Sequence, residues 1–165
     1  QRAFYNGWKS VHGLKHQTVD NAYGMTIDMA GPTSLRRNDA WVLRVSCIVD
    51  RFRALQEGQE NQYVIFGDSA YPVTSHLRSY FKAAEAVQDF MRWNSKMKKV
   101  RISIEWNYGY TASLFKLISN KDKMKLLQKG SSVKQVYTVV TLLRNFSICL
   151  YGGQTSNYLS LSLPA

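Results

Sequence analysis

The segment Tyr63-Val64-Ile65-Phe66-Gly67-Asp68-Ser69-Ala70-Tyr71-Pro72 says most about the architecture. Four apolar residues in a row, closed by Gly-Asp, have the profile of a short, fully buried strand. A carboxylate at the end of such a strand points into the crevice outside the sheet, where ligands of α/β proteins bind. Asp68 is therefore the most informative acid in the chain, and a metal-binding carboxylate suits its place. The plainer alternative is that Asp68 caps the following turn through its own side chain. Local sequence does not separate the two.

Upstream of this strand, Trp8–Thr18 reads as a strand, Asp20-Asn21-Ala22-Tyr23-Gly24 as a turn and Met25–Met29 as a second strand, together a hairpin. Gly31-Pro32-Thr33-Ser34 is expected to break the chain. Ser34 or Asn38 then caps a helix through Trp41, Val42, Val45, Ile48 and Val49, which recur at helical spacing. Gln56–Gln62 is a polar loop. Downstream the period turns helical. Ser75–Phe81 is expected as one short helix and Ala84–Met97 as a second. Val100–Ile118 reads as a longer one, with Val100, Ile104, Phe115 and Ile118 on one stripe. Arg101-Ile102-Ser103-Ile104-Glu105 also alternates as a strand would. A Lys-rich surface stretch covers Asp122–Lys134, and a last helix Val133–Leu150 is stopped by Gly152-Gly153. The Ser/Leu-rich remainder is expected to be loose. The class is α/β, and three strands are few for a domain of this size.

Composition narrows the function. A chain of 165 residues, 45% apolar and 13% aromatic, is one globular domain and not a disordered segment. Lys+Arg 22 against Asp+Glu 11 gives +11, and the excess is uneven. Residues 1–85 hold 10 basic and 8 acidic side chains (+2), whereas residues 86–165 hold 12 and 3 (+9). Such asymmetry reads as a surface for a polyanion, nucleic acid first. Cys47 and Cys149 stand far apart without a CxxC pair, which excludes a disulfide scaffold and a cysteine zinc site and leaves two ordinary core thiols. Val136–Tyr151, the most apolar late stretch, contains Arg144 and Asn145, so no membrane span is expected. The N-terminus has neither an initiator Met nor a signal peptide's apolar core, as in a fragment.

Glu105 is the second candidate, the only acid between Asp89 and Asp122. On a helix it shares a face with Lys98, Arg101 and Tyr108. Its plain reading is an Arg101–Glu105 surface ion pair worth ~0.3–0.5 kcal/mol. Its functional reading is a metal-ligand carboxylate ringed by phosphate-binding cations. Other constellations are bland. His12 and His16 are four apart with no Glu between them, so no HExxH zinc site exists. Trp93, Trp106, Tyr108 and Tyr110 are expected to pack helices, with base stacking as the alternative.

The segment Tyr5-Asn6-Gly7-Trp8-Lys9-Ser10-Val11-His12-Gly13-Leu14-Lys15-His16-Gln17, then Gly31-Pro32 and Arg36-Arg37-Asn38-Asp39, resembles the central part of a Harbinger-type DDE superfamily endonuclease, as found in transposases. The likeness continues through GDSAYP (67–72) and Val100-Arg101-Ile102-Ser103-Ile104-Glu105-Trp106 to Gly152. The ordered set of GDSAYP, a basic run and RISIEW is its most specific part. The resemblance implies an RNase H-like mixed sheet flanked by helices over residues 1–151, with the first strand or strands absent, and 152–165 as a loose tail. It implies three acids holding divalent metal, Mg²⁺ with Mn²⁺ as the alternative, of which Asp68 matches the second and Glu105 the third. Such metals activate water or a 3′-hydroxyl in phosphodiester cleavage and strand transfer. The first acid belongs to an Asp-Gly-Thr motif upstream of YNGWK; Asp20 and Asp28 do not match it. The family's His-Asp after Gly-Pro reads Asn38-Asp39 here, with Asp39 taken as a helix cap in preference to an accessory acid. The expected function is a metal-dependent DNA endonuclease core of a nuclear transposase, inactive alone with two of three acids. Lys96, Lys98, Lys99 and Arg101 contact the DNA backbone, and a separate DNA-binding accessory protein is a further expected partner. The alternative is a degenerate, non-catalytic DNA- or protein-binding module of the same descent.

Overall fold

Residues 4–7, 10–82, 87–119 and 132–162 are described in a computed structural model of the chain. They form a mixed α/β structure with three two-stranded sheets and six helices. Two compact units arise, one from Gln1–Val19 with Asp28–Ser95 and the other from Asp20–Ile27 with Lys96–Ala165.

In the first unit β1 (Tyr5–Asn6) pairs antiparallel with β2 (Val11–His12), placing the Tyr5 and His12 rings 5.0 Å apart. β3 (Leu14–Asp20) pairs with β4 (Thr26–Ser34), which realises the expected hairpin. β4 runs straight through Gly31-Pro32-Thr33-Ser34, where a break was expected. A two-stranded sheet has only edge strands, and an edge tolerates a proline that cannot donate to the ladder.

Asn38 caps α1 (Asp39–Ser46), its side-chain oxygen accepting the Trp41 N–H at 2.8 Å. Asp39 is thus not the cap. It sits in the first turn and accepts from Lys15 Nζ at 2.7 Å. The single helix expected through Val49 is two, because Cys47 adopts a left-handed conformation (φ 52) before α2 (Ile48–Leu55). Arg51 holds the bend, donating to the Ser46 carbonyl and to both carboxylate oxygens of Asp28. Cys47 is exposed at this corner, as is Cys149 on a later helix, so neither thiol belongs to the core.

β5 (Ile65–Phe66) is shorter than the expected strand; Tyr63 and Val64 are exposed. It runs parallel to β6 (Leu77–Arg78), with Ile65 opposite Leu77 and Phe66 opposite Arg78. Residues 75–81 were expected as a helix. Thr74 Oγ1 instead accepts the N–H groups of His76 and Leu77, and the His76 and Arg78 carbonyls accept from Ile65 and Gly67 at 2.9 and 2.8 Å. Seven residues are too few for periodicity to tell the two apart. The core of the unit is Leu43, Ile48 and Leu77, with Val19, Val49, Ile65 and Tyr71 packed on it.

Helix α3 (Gln88–Leu114) is one helix of 27 residues where two were expected, and the strand reading of 101–105 gives way to it. Near its start, Phe90 stacks on Phe81 at 4.0 Å, Trp93 meets Phe66 and Phe81 edge-on, and Asn94 bonds both the N–H and C=O of Phe81.

The second unit holds Lys96–Leu114 of α3, α4 (Lys116–Ser119), α5 (Val133–Tyr151), α6 (Gln154–Tyr158) and the hairpin tip. The buried face of α3 is polar: Ser103, Asn107 and Thr111 recur four apart, while Val100, expected on an apolar stripe, is 42% exposed. Every one of those groups has a partner, as burial demands. Asn107 donates to Asp20 at 3.1 Å and accepts from Thr155 at 3.3 Å. Arg144, only 3% exposed, donates to Thr111, Thr26 and Asn145. Asn145 bonds both the N–H and C=O of Thr26, pairing the hairpin tip as a strand would. Gly24 at the tip has φ +85, and a Cβ there would come within 2.9 Å of Asn107 and Thr155. Residues 152–165 were expected as a loose tail; within them α6 buries Thr155 and Ser156, and Tyr158 meets Trp106 edge-on at 5.0 Å. Most of the Lys-rich stretch 122–134, like Trp8, lies outside the described residues.

Candidate active site

Asp68 follows the parallel β5–β6 ladder by one residue. The last ladder bond, Gly67 N–H to the Arg78 carbonyl at 2.8 Å, fixes where the strand ends. Past it the chain turns: the Asp68 carbonyl accepts the Tyr71 N–H at 2.9 Å, and Asp68 Oδ1 accepts the Ser69 N–H at 2.7 Å. The turn cap expected for this residue is therefore present. The carboxylate stands at a strand end, half-buried, and one of its oxygens also caps the turn.

The turn is braced from below by Tyr71. A Cβ on residue 67 would lie 2.6 Å from Tyr71 Cδ2, so only glycine lets the ring lie against the backbone there. The ring packs on the Leu43–Ile48–Leu77 core, and its hydroxyl accepts from Gln17 Nε2 at 3.2 Å. Gln17, Gly67 and Tyr71 also line a cavity of about 50 Å³ whose other walls include Leu43, Ile48, Ile65 and Leu77. No periodicity links Gln17 to Tyr71, 54 residues apart, and sequence reasoning did not find the pair.

Glu105 lies on α3 in the second unit. It accepts from Arg101 Nη2 at 3.4 Å across one helical turn, with the two side chains 65% and 29% exposed. An exposed pair of this kind contributes little to stability. Lys96, Lys98 and Lys99 are exposed on the preceding turns, and Arg101 is half-buried. The aromatics reserved for helix packing divide. Trp93 and Trp106 pack against other rings, Tyr110 reaches Ser147 at 3.2 Å, and Tyr108 is 40% exposed.

A divalent metal asks for hard oxygen ligands, and Asp68 and Glu105 supply that chemistry, one in each unit. Among the described residues no group of three or more His, Cys, Asp or Glu side chains gathers into a metal cluster. Other acids are engaged structurally: Asp28 with Arg51, Asp39 with Lys15, and Asp20 with Thr26 and Asn107. Burial lowers the His16 pKa from 6.5 to about 4, leaving it neutral at physiological pH, while His12 packs on Tyr5. No described helix is long and apolar enough to cross a membrane.

A family model described as DDE superfamily endonuclease matches residues 1–145, a span that contains both candidate acids. No curated protein and no solved structure matches the chain.

Proposed function

The chain belongs to the DDE superfamily endonuclease family, and from that premise we propose that it is the catalytic core of a Harbinger-type transposase acting on DNA in the nucleus. The fold proposed for residues 1–151 is RNase H-like. The observation that carries the reading is the family match across 1–145 together with Asp68 at the end of β5, where a ligand-facing carboxylate belongs. Asp68 and Glu105 would hold a divalent metal, Mg²⁺ or Mn²⁺. The chemistry such a metal supplies when bound is Lewis-acid activation of a water or 3′-hydroxyl and stabilisation of the leaving oxygen. Lys96, Lys98, Lys99 and Arg101 hold the phosphate backbone, a contact that positions DNA without reading its sequence. For Glu105 to bind metal, its pair with Arg101 must open. That step costs little, because the pair is exposed.

The same ion pair favours a second reading, a degenerate module that binds DNA or protein without cleaving it. Plasmid nicking by the protein from its complete reading frame, with Mg²⁺ or Mn²⁺, separates the two. The catalytic reading expects nicking that Asp68→Asn and Glu105→Gln each abolish while DNA binding persists. DNA binding with no nicking, or nicking indifferent to both substitutions, overturns it.

A further inference from the structure

In the first unit three exposed arginines, Arg36, Arg37 and Arg44, have no acidic partner among the described residues, whereas Lys15, Arg51 and Arg53 are each paired with an aspartate. The start of α1 gathers them. The Arg36 N–H donates to Ser34 Oγ at 3.2 Å and the Arg37 N–H to the Ser34 carbonyl at 3.0 Å, which sets the turn before the helix. Asn38 then caps α1, and the Arg37 guanidinium lies 4.6 Å from the centre of the Trp41 ring. Val42 and Leu43 take the buried side of the helix, leaving Trp41 partly exposed and Arg44 and Val45 exposed. Asp39, the one acid between Ser34 and Ser46, is engaged by Lys15 at 2.7 Å. The small net charge of residues 1–85, +2, hides this patch, because the paired charges elsewhere cancel in the sum.

We propose that Arg36, Arg37, Trp41 and Arg44 form a contact for an unpaired DNA strand: a base stacks on the Arg37–Trp41 pair, and Arg36 and Arg44 hold the flanking phosphates. The inference rests on the reading of the chain as a DNA-acting protein, and it adds a surface in the first unit to the lysines of α3 in the second. Stacking on the indole restrains the long Arg37 side chain, which lowers the ordering cost of binding. The guanidinium is planar and weakly hydrated, so it stacks on π systems, while its N–H fork matches a phosphate. An aromatic platform beside unpaired cations holds single strands without sequence preference. A duplex keeps its base faces inside the stack and offers this patch phosphates only. An acidic peptide would satisfy the arginines but brings no ring to the Arg37–Trp41 pair.

The test measures binding of the complete protein to a fluorescent oligo-dT, to an abasic strand of the same length and to duplex DNA across a salt series. Arg37→Lys keeps the charge and loses the stacking plane, and Trp41→Leu removes the platform. Each is expected to weaken oligo-dT binding about tenfold, the worth of one stacked base, while the abasic strand binds as it does to the parent. Arg36→Ala and Arg44→Ala are expected to lower the slope of log affinity against log salt for both single strands by about 0.7 each. Arg53→Ala, which removes an exposed arginine already paired with Asp50, should leave both affinity and slope at the parent's values. Arg37→Lys changes only a surface side chain, so it keeps the test decisive if Trp41→Leu disturbs the helix. Oligo-dT and abasic binding that fall together in Arg37→Lys, slopes that ignore Arg36 and Arg44, or polyglutamate competing as well as oligo-dT overturn the proposal. A parent that binds duplex but not oligo-dT overturns this proposal alone. A parent that binds neither overturns the DNA reading with it.

Discussion

Gly67 and Tyr71 are coupled by sterics, and the coupling can be measured. Alanine at residue 67 places a Cβ 2.6 Å from Tyr71 Cδ2, about 1 Å inside the ~3.5–4.0 Å at which carbon atoms attract. Overpacking of this kind costs ~1–3 kcal/mol. Against that, Gly67 does not have positive φ, so alanine there also removes unfolded-chain entropy worth ~0.4–1 kcal/mol. Gly67→Ala should therefore destabilise the protein by about 1–2 kcal/mol net. In a Tyr71→Ala background the clash is gone and only the entropy term remains. The same substitution should then be neutral or stabilising. Urea unfolding of the four proteins in this cycle gives the interaction energy directly, provided m stays constant. An equal cost of Gly67→Ala in both backgrounds would refute the packing of the Tyr71 ring against the backbone at residue 67.

Burial lowers the His16 pKa from 6.5 to about 4, so between these values the unfolded chain binds a proton that the folded chain does not. Stability should accordingly rise with pH across that window and be lost as pH falls through it, and His16→Gln should flatten this part of the stability–pH curve; an unchanged acid slope would contradict the burial. Arg144→Met removes three hydrogen bonds from the interior of the second unit and is expected to cost about 1–3 kcal/mol. A gain in thermal midpoint would show that relief from burying the guanidinium outweighs those bonds. For DNA contact, replacing Lys98 and Lys99 by alanine should lower the slope of log affinity against log salt by about 0.9 per lysine, equally for unrelated sequences. A slope that does not change removes both lysines from the interface.

Much of this architecture is legible in sequence where a local rule has one outcome. The hairpin around Asn21, the Asn38 cap and the Gly152 stop of α5 each follow from a residue whose chemistry acts on its immediate neighbours. Legibility fails where tertiary pairing decides. Leu77 enters a strand because Ile65 is there to pair with it, and nothing within residues 75–81 announces that. The stripe expected on α3 fails for a related reason. An apolar period assumes an apolar partner, whereas α3 turns Ser103, Asn107 and Thr111 inward and satisfies them with Asp20, Arg144 and Thr155. The two acids were legible as candidates because one closes an apolar run and the other stands alone in a basic one. The Gln17–Tyr71 bond was not, since a hydrogen bond across 54 residues leaves no local trace.

The central proposal is that Asp68 and Glu105 ligate the same divalent metal. Mn²⁺ broadens carboxyl resonances close to it, so the most direct test is a titration of the ¹³C-carboxyl-labelled complete protein with substoichiometric Mn²⁺. The expected result is that the Asp68 and Glu105 signals broaden together and first, while exposed acids such as Asp50 and Asp89 stay sharp. If Asp68 broadens and Glu105 remains sharp, or if neither responds before the exposed acids do, the two carboxylates do not share a metal and the catalytic reading is wrong.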